Sequence, residues 1–233
     1  AIVTNPITLR PRHGSAQPRL VETKAGFILN TGQQNPGVRK VMQQYGKSWS
    51  RLGLPVIAHL PADEPDDLCR TARALAGVEA VAAIELGLPL GAAVAEVERW
   101  IRAVTADCQL PLLVKLPLTE AGYLAEPVVA AGADALVVGG APPGAAIYPP
   151  TGELVEGYLY GPAIHSLVLQ AVLMVKALVD VPVVAAGGIH GLADITALRQ
   201  VGATAVQLDS LLWVDPQAAY ALASALGEPS AWP

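Results

Sequence analysis

Short apolar runs recur along the chain and alternate with stretches whose apolar residues fall at helical spacing. The runs are residues 1–4, 56–60, 80–86, 112–116, 135–138, 181–186 and 205–208. Pro55, Pro111 and Pro182 stand at the openings of three of them, where a missing N–H does no harm. Between them, Asp63-Glu64-Pro65-Asp66-Asp67 opens a helix with acids in its first turn, favourable to the helix dipole. Residues 92–106 place Val94, Val97, Ile101 and Val104 on one helical face, and residues 215–226 form a last short helix. Strand–helix alternation specifies a parallel sheet. Seven strands and seven helices, with an N-terminus already in a strand, predict an α/β fold. The expected form is a (β/α)8 TIM-type barrel lacking its first βα unit, built as a single domain over residues 1–233. An open doubly wound sheet is the alternative, but no G-x-G-x-x-G opens the first helix.

Two stretches break the rhythm. Residues 8–30 read as an exposed hairpin with few core residues. Residues 141–160, with Pro142, Pro143, Gly144, Pro149, Pro150 and Gly152, read as a long loop of the kind that is usually functional.

Composition narrows the field. Of 233 residues 52% are hydrophobic and only 15% charged, as a parallel sheet buried on both faces requires. The net charge is −5, without a basic cluster, which argues against nucleic acid as a partner. Cys69 and Cys108 form neither a disulfide framework nor a metal motif, so no metal is expected and a cytoplasmic location is the default. No apolar run is long enough to span a membrane.

The chemistry of a barrel sits at the C-terminal strand ends. Those ends carry Thr4 and Asn5, His59, Glu85, Lys115, Gly139 and Gly140, Gly187 and Gly188, Gln207 and Asp209. The paired glycines after residues 181–186 suit either a tight turn or a phosphate site built with the helix that follows. Lys115 in an apolar strand needs water, a carboxylate or a ligand, so it either pairs with Glu85 or faces an anionic or electron-rich ligand atom. Glu85 reads as a counter-ion or a base, His59 as a core histidine or a base. His190 follows the glycines and could meet a phosphate, and His165 reads as structural.

Together these residues resemble the dihydroorotate dehydrogenase family of FMN-dependent barrels. The resemblance rests on residues 30–37 (NTGQQNPG), Ile84-Glu85-Leu86, Leu113-Val114-Lys115-Leu116, Tyr160-Gly161-Pro162-Ala163-Ile164, Ala186-Gly187-Gly188-Ile189, and Gly202-Ala203 with Val206-Gln207. It implies an FMN-dependent oxidoreductase of pyrimidine biosynthesis acting on a small-molecule ligand, possible as a homodimer. Lys115, Gly139, Gly161, Gly187, Gly188, Ile189 and Ser210 would meet the cofactor, and Asn30 and Glu85 the substrate. The departures are on the substrate side. Where the family has an Asn-x-Ser-Cys-Pro-Asn type loop, or its serine version, this chain has Gly87-Leu88-Pro89-Leu90-Gly91, with no side chain able to accept a proton. Gly139 and Gly140 stand where the family offers asparagine, Asn5 replaces a family lysine, and Asp209 replaces a small glycine by the phosphate. The expectation is a degenerate substrate site that turns dihydroorotate over slowly or not at all, with His59 the one nearby residue that could substitute as base. The alternative is a catalytically inactive barrel that serves binding or assembly.

Overall fold

The computed structural model describes residues 1–226. Seven parallel strands form one sheet in the order β1 (Ile2–Val3), β4 (Val56–Pro61), β5 (Val81–Gly87), β6 (Leu112–Pro117), β7 (Ala135–Gly140), β10 (Val183–Ala186) and β11 (Ala205–Gln207). The helices are α1 (Val38–Trp49), α2 (Pro65–Ala76), α3 (Val94–Thr105), α4 (Ala121–Ala130), α5 (His165–Lys176), α6 (Leu192–Gln200), α7 (Ser210–Val214) and α8 (Pro216–Leu226). The sheet is curled. Gln207 on β11 hydrogen-bonds Glu85 on β5, four strand steps away. In a flat sheet those strands would be roughly 19 Å apart. This is the TIM-type barrel that the alternation predicts, with seven strands among the described residues; the doubly wound sheet is excluded.

Side chains alternate across each strand. Ala58, Leu60, Ile84, Leu86, Val114, Leu116, Leu136 and Val138 turn outward and are buried against α2 to α5, where Leu75, Val97, Ile101, Leu124, Val128, Val172 and Val175 complete the core. The other face of the same strands lines the barrel, and it is there that His59, Glu85, Lys115 and Gln207 meet.

The two interrupting stretches correct the expectation. Residues 8–30 do contain a hairpin, β2 (Leu20–Thr23) and β3 (Gly26–Leu29), but Val21, Phe27, Ile28 and Leu29 are all buried. Residues 141–160 are not a loop but a second hairpin, β8 (Pro143–Tyr148) and β9 (Glu153–Tyr160). The two hairpins join in an antiparallel sheet of order β2-β3-β9-β8, with Phe27 opposite Tyr160. The pairing of β3 with β9 spans more than a hundred residues and leaves no local sequence signal.

Candidate active site at the strand ends

The register of the parallel sheet builds a polar cluster inside the barrel. His59 lies directly opposite Glu85, and Lys115 opposite Gly87, one pleat nearer the mouth. Glu85 is fully buried. Its Oε1 is 2.8 Å from His59 Nδ1 and 3.8 Å from Lys115 Nζ, and its Oε2 accepts a hydrogen bond from Gln207 Nε2. Lys115 Nζ donates to Gln207 Oε1 at 3.2 Å, which closes the network. Burial alone would push the Glu85 carboxyl up. Lys115, then the hydrogen bond and charge of His59 and the Gln207 amide outweigh it and hold the group down at about 2. Lys115 and Glu85 therefore meet as a direct ion pair.

Asp209 caps the last strand end beside this cluster. Burial pushes its carboxyl up, with Glu85 adding to the effect, against the pull of Lys115, Trp213 and His59. Burial also raises the Tyr160 phenol, as do the charges of Asp209 and Tyr158. Tyr160 stacks on Phe27 with centroids 5.6 Å apart, and Trp213 lies 6.4 Å from Phe27. The antiparallel sheet thus brings an aromatic group to the rim of the barrel.

The glycine end is tightly built. Gly188 has φ 71°, a backbone that side chains rarely adopt, and a Cβ there would come within 2.5 Å of His165 N. A Cβ on Gly187 would press on Ile164 at 2.8 Å, and one on Gly161 would lie 2.6 Å from Gly26 Cα. A Cβ on Gly139, with φ 136°, would overlap the Ala186 carbonyl oxygen. Each glycine proposed for the cofactor therefore also has a packing reason. The N-terminus of α6 is already capped, because Asp194 Oδ2 accepts from His190 N and Gly191 N, both at 2.9 Å. The N–H groups of Gly188 and Ile189 have no protein acceptor among the described residues. His190 Nε2 lies 3.0 Å from the buried Ser210 hydroxyl, and burial holds its imidazole below the usual range. His165 opens α5; its Nε2 is 3.8 Å from Asp194, and its Nδ1 is buried without a partner.

Asn30 lies outside the polar cluster. Its Oδ1 accepts from Ser15 Oγ and Gly32 N, and its Nδ2 donates to Glu156 O, so the side chain is spent on joining the loops at residues 15 and 32 to β9. In the loop after β5, Leu88 is buried and Leu90 exposed, and neither brings a polar group to the mouth. Sequence reasoning placed Gln207 at a strand end but gave it no role, and it did not single out Asp194. Asp194, an acid early in a helix after a glycine, carries the signature of an N-terminal cap.

A curled parallel sheet with a buried ion pair and a glycine turn at its C-terminal strand ends defines a TIM-type barrel with a candidate site at that mouth. Residues 1–228 match the model of the family described as dihydroorotate dehydrogenase. The chain belongs to that family. It is 32% identical to the dihydroorotate dehydrogenase B (NAD(+)) catalytic subunit of Desulforudis audaxviator, covering 97% of this chain and 79% of that protein. It is 33% identical to the same subunit of Trichlorobacter lovleyi, covering 97% and 80%. Among solved structures, dihydroorotate dehydrogenase of Eimeria tenella in complex with ferulenol superposes with a TM-score of 0.73 at 18% identity, over 95% of this chain and 72% of that one. FabK from Thermotoga maritima gives 0.51 at 22% identity, over 78% and 49%; both likenesses concern the fold alone.

Proposed function

We propose that this protein is a dihydroorotate dehydrogenase-like oxidoreductase that uses FMN, with a reduced substrate site. The observation that carries the reading is the network of Glu85, Lys115, Gln207 and His59 at the barrel mouth, with a glycine turn at the neighbouring strand end.

The donor set suits FMN. The Lys115 ammonium, 22% exposed, is available to the electron-rich part of a ring lying across the strand ends. Gly187, Gly188 and Ile189 offer backbone N–H groups to a phosphate, Ser210 offers a hydroxyl, and Gly139 and Gly161 let the backbone pass close by. Bound FMN would supply a hydride acceptor. The protein would hold the substrate ring at the mouth, with Lys115 fixed by Glu85 and Gln207 so that its charge stays aimed. Asn5, Gly87 and Gly139 provide less side-chain recognition than the resemblance leads one to expect, so the substrate should bind weakly. The same reading places the chain in pyrimidine biosynthesis in the cytoplasm, on a small-molecule ligand, with a homodimer as the assembly to test by sedimentation. An inactive binding or assembly barrel is favoured only by the loop Gly87-Leu88-Pro89-Leu90-Gly91.

The test is a titration of the purified protein with FMN, followed by absorbance and quenching of flavin fluorescence, and then a steady-state assay with dihydroorotate and an artificial electron acceptor. Saturable FMN binding and acceptor-dependent oxidation with a high KM are expected. No FMN binding at tens of micromolar, or no oxidation by the loaded protein, would refute the reading.

A further inference from the structure

We propose that His59 is the catalytic base of this site, replacing the proton acceptor that the loop after β5 lacks. The proposal rests on the dihydroorotate-class substrate proposed above.

Three observations converge on Nε2 of His59. First, Nδ1 lies 2.8 Å from Glu85 Oε1, and Glu85 sits beside Lys115. An ionised carboxylate only accepts hydrogen bonds, so Nδ1 carries a hydrogen in either charge state, and in the neutral ring the lone pair is on Nε2. Second, that lone pair is free: Nε2 has no partner among the described residues and is not enclosed, for the one buried, unpartnered side-chain nitrogen or oxygen among them is His165 Nδ1. Third, the ring occupies the space that a side chain at position 87 would need. A Cβ on Gly87 would lie 2.6 Å from His59 Cε1 and 3.1 Å from Nε2. The glycine that removes a polar side chain from the catalytic loop thus admits the imidazole into the volume vacated. The backbone of His59 is held as well, its N–H donating to Thr4 Oγ1 at 3.0 Å. A base on a barrel strand with a buried carboxylate behind it is better ordered than one on a loop.

The step balances without an electron acceptor. The C5 hydrogen of dihydroorotate is α to the C4 carbonyl. His59 Nε2 takes the proton, the C5–H bond breaks, and its electron pair delocalises to the carbonyl oxygen as an enolate. The resulting imidazolium is stabilised by Glu85. Return of a solvent deuteron to carbon regenerates the neutral ring and leaves C5 labelled.

The experiment follows that exchange. Dihydroorotate is incubated anaerobically in D2O with the FMN-titrated protein and no acceptor, and C5 labelling is read by proton NMR. His59→Gln is the comparison, because its amide can still donate to Glu85 but cannot act as a base; circular dichroism checks its fold. Exchange by the wild type above the buffer rate, falling about 100-fold or more in His59→Gln, is expected. Nitrogen-15 shifts of the wild-type ring should also report the Nδ1–H tautomer. Equal exchange in both proteins, no wild-type exchange above buffer, or an Nε2–H tautomer would overturn the proposal. Failure of the two readings is distinguishable. His59-dependent exchange without oxidation leaves the base standing and removes the oxidoreductase, whereas oxidation unchanged in His59→Gln does the reverse.

Discussion

Replacing Lys115 by methionine isolates the electrostatics on which the site depends. The substitution keeps the length and apolar stem of the side chain but removes the charge 3.8 Å from Glu85 Oε1. Glu85 remains fully buried, still bonded to His59 and Gln207. The wild-type carboxyl is held at about 2 against an ordinary value of 4.5. Linkage converts that depression into about 3 kcal/mol of stability. Breaking one partner of a buried pair costs a similar ~3–5 kcal/mol, and the remaining two partners argue for the lower end. The expected loss at pH 7 is therefore about 3 kcal/mol, or roughly 6–12 °C in Tm for a chain of this size. The pH dependence gives a sharper signature. In the wild type the contribution of Glu85 is complete above its unfolded value of 4.5 and is lost as pH falls toward about 2. In the variant, burial is no longer offset by the lysine, so the carboxyl rises and protonation relieves the fold as pH falls. The other carboxylates titrate in both proteins and cancel in the difference. Urea unfolding followed by circular dichroism at pH 7 and pH 3.5 should show a gap that narrows with acidity. A gap below about 1 kcal/mol at pH 7, or one equal at both pH values, would refute the argument.

Three further substitutions probe the frame. Gly139→Ala, whose Cβ would overlap the Ala186 carbonyl in a left-handed backbone, should destabilise by about 2–4 kcal/mol; an unchanged Tm would mean that β7 and β10 are not so closely packed. Asp194→Ala removes the acceptor for His190 N and Gly191 N and should cost about 1–2 kcal/mol by chemical denaturation; a change under about 0.3 kcal/mol would show that water caps α6 as well as the carboxylate does. Asn30→Ala should lower stability by about 1–3 kcal/mol through its lost loop contacts and leave the KM for dihydroorotate within about twofold. A large rise in KM without loss of stability would return Asn30 to the substrate.

The parallel barrel was legible because its signals are local. A buried strand such as β6 reads as an apolar run, α3 shows its buried face at helical spacing, and the proline at position 111 marks where a strand opens. The antiparallel sheet was not legible. Its strands β3 and β9 pair over a separation at which no periodicity connects them, and β8 opens on proline, glycine and two alanines before its strand-forming Ile147 and Tyr148. Among the site residues, Lys115 and Glu85 stood out because a charge within an apolar strand demands a partner, and the neighbouring strand supplies it. His59 stood out only as a titratable group at a strand end.

From sequence alone came the succession of strands and helices, the strand ends that must carry the chemistry, and the absence of a proton acceptor between Gly87 and Gly91. These depend on side-chain periodicity and residue type, which are properties of neighbours along the chain. Tertiary structure alone decided that Gln207 closes onto Glu85 across the barrel and that the His59 ring rests where Gly87 has no side chain. Those contacts follow from strand register and sheet curvature. Both are set by how residues far apart in sequence share one buried volume, and no local pattern encodes that packing.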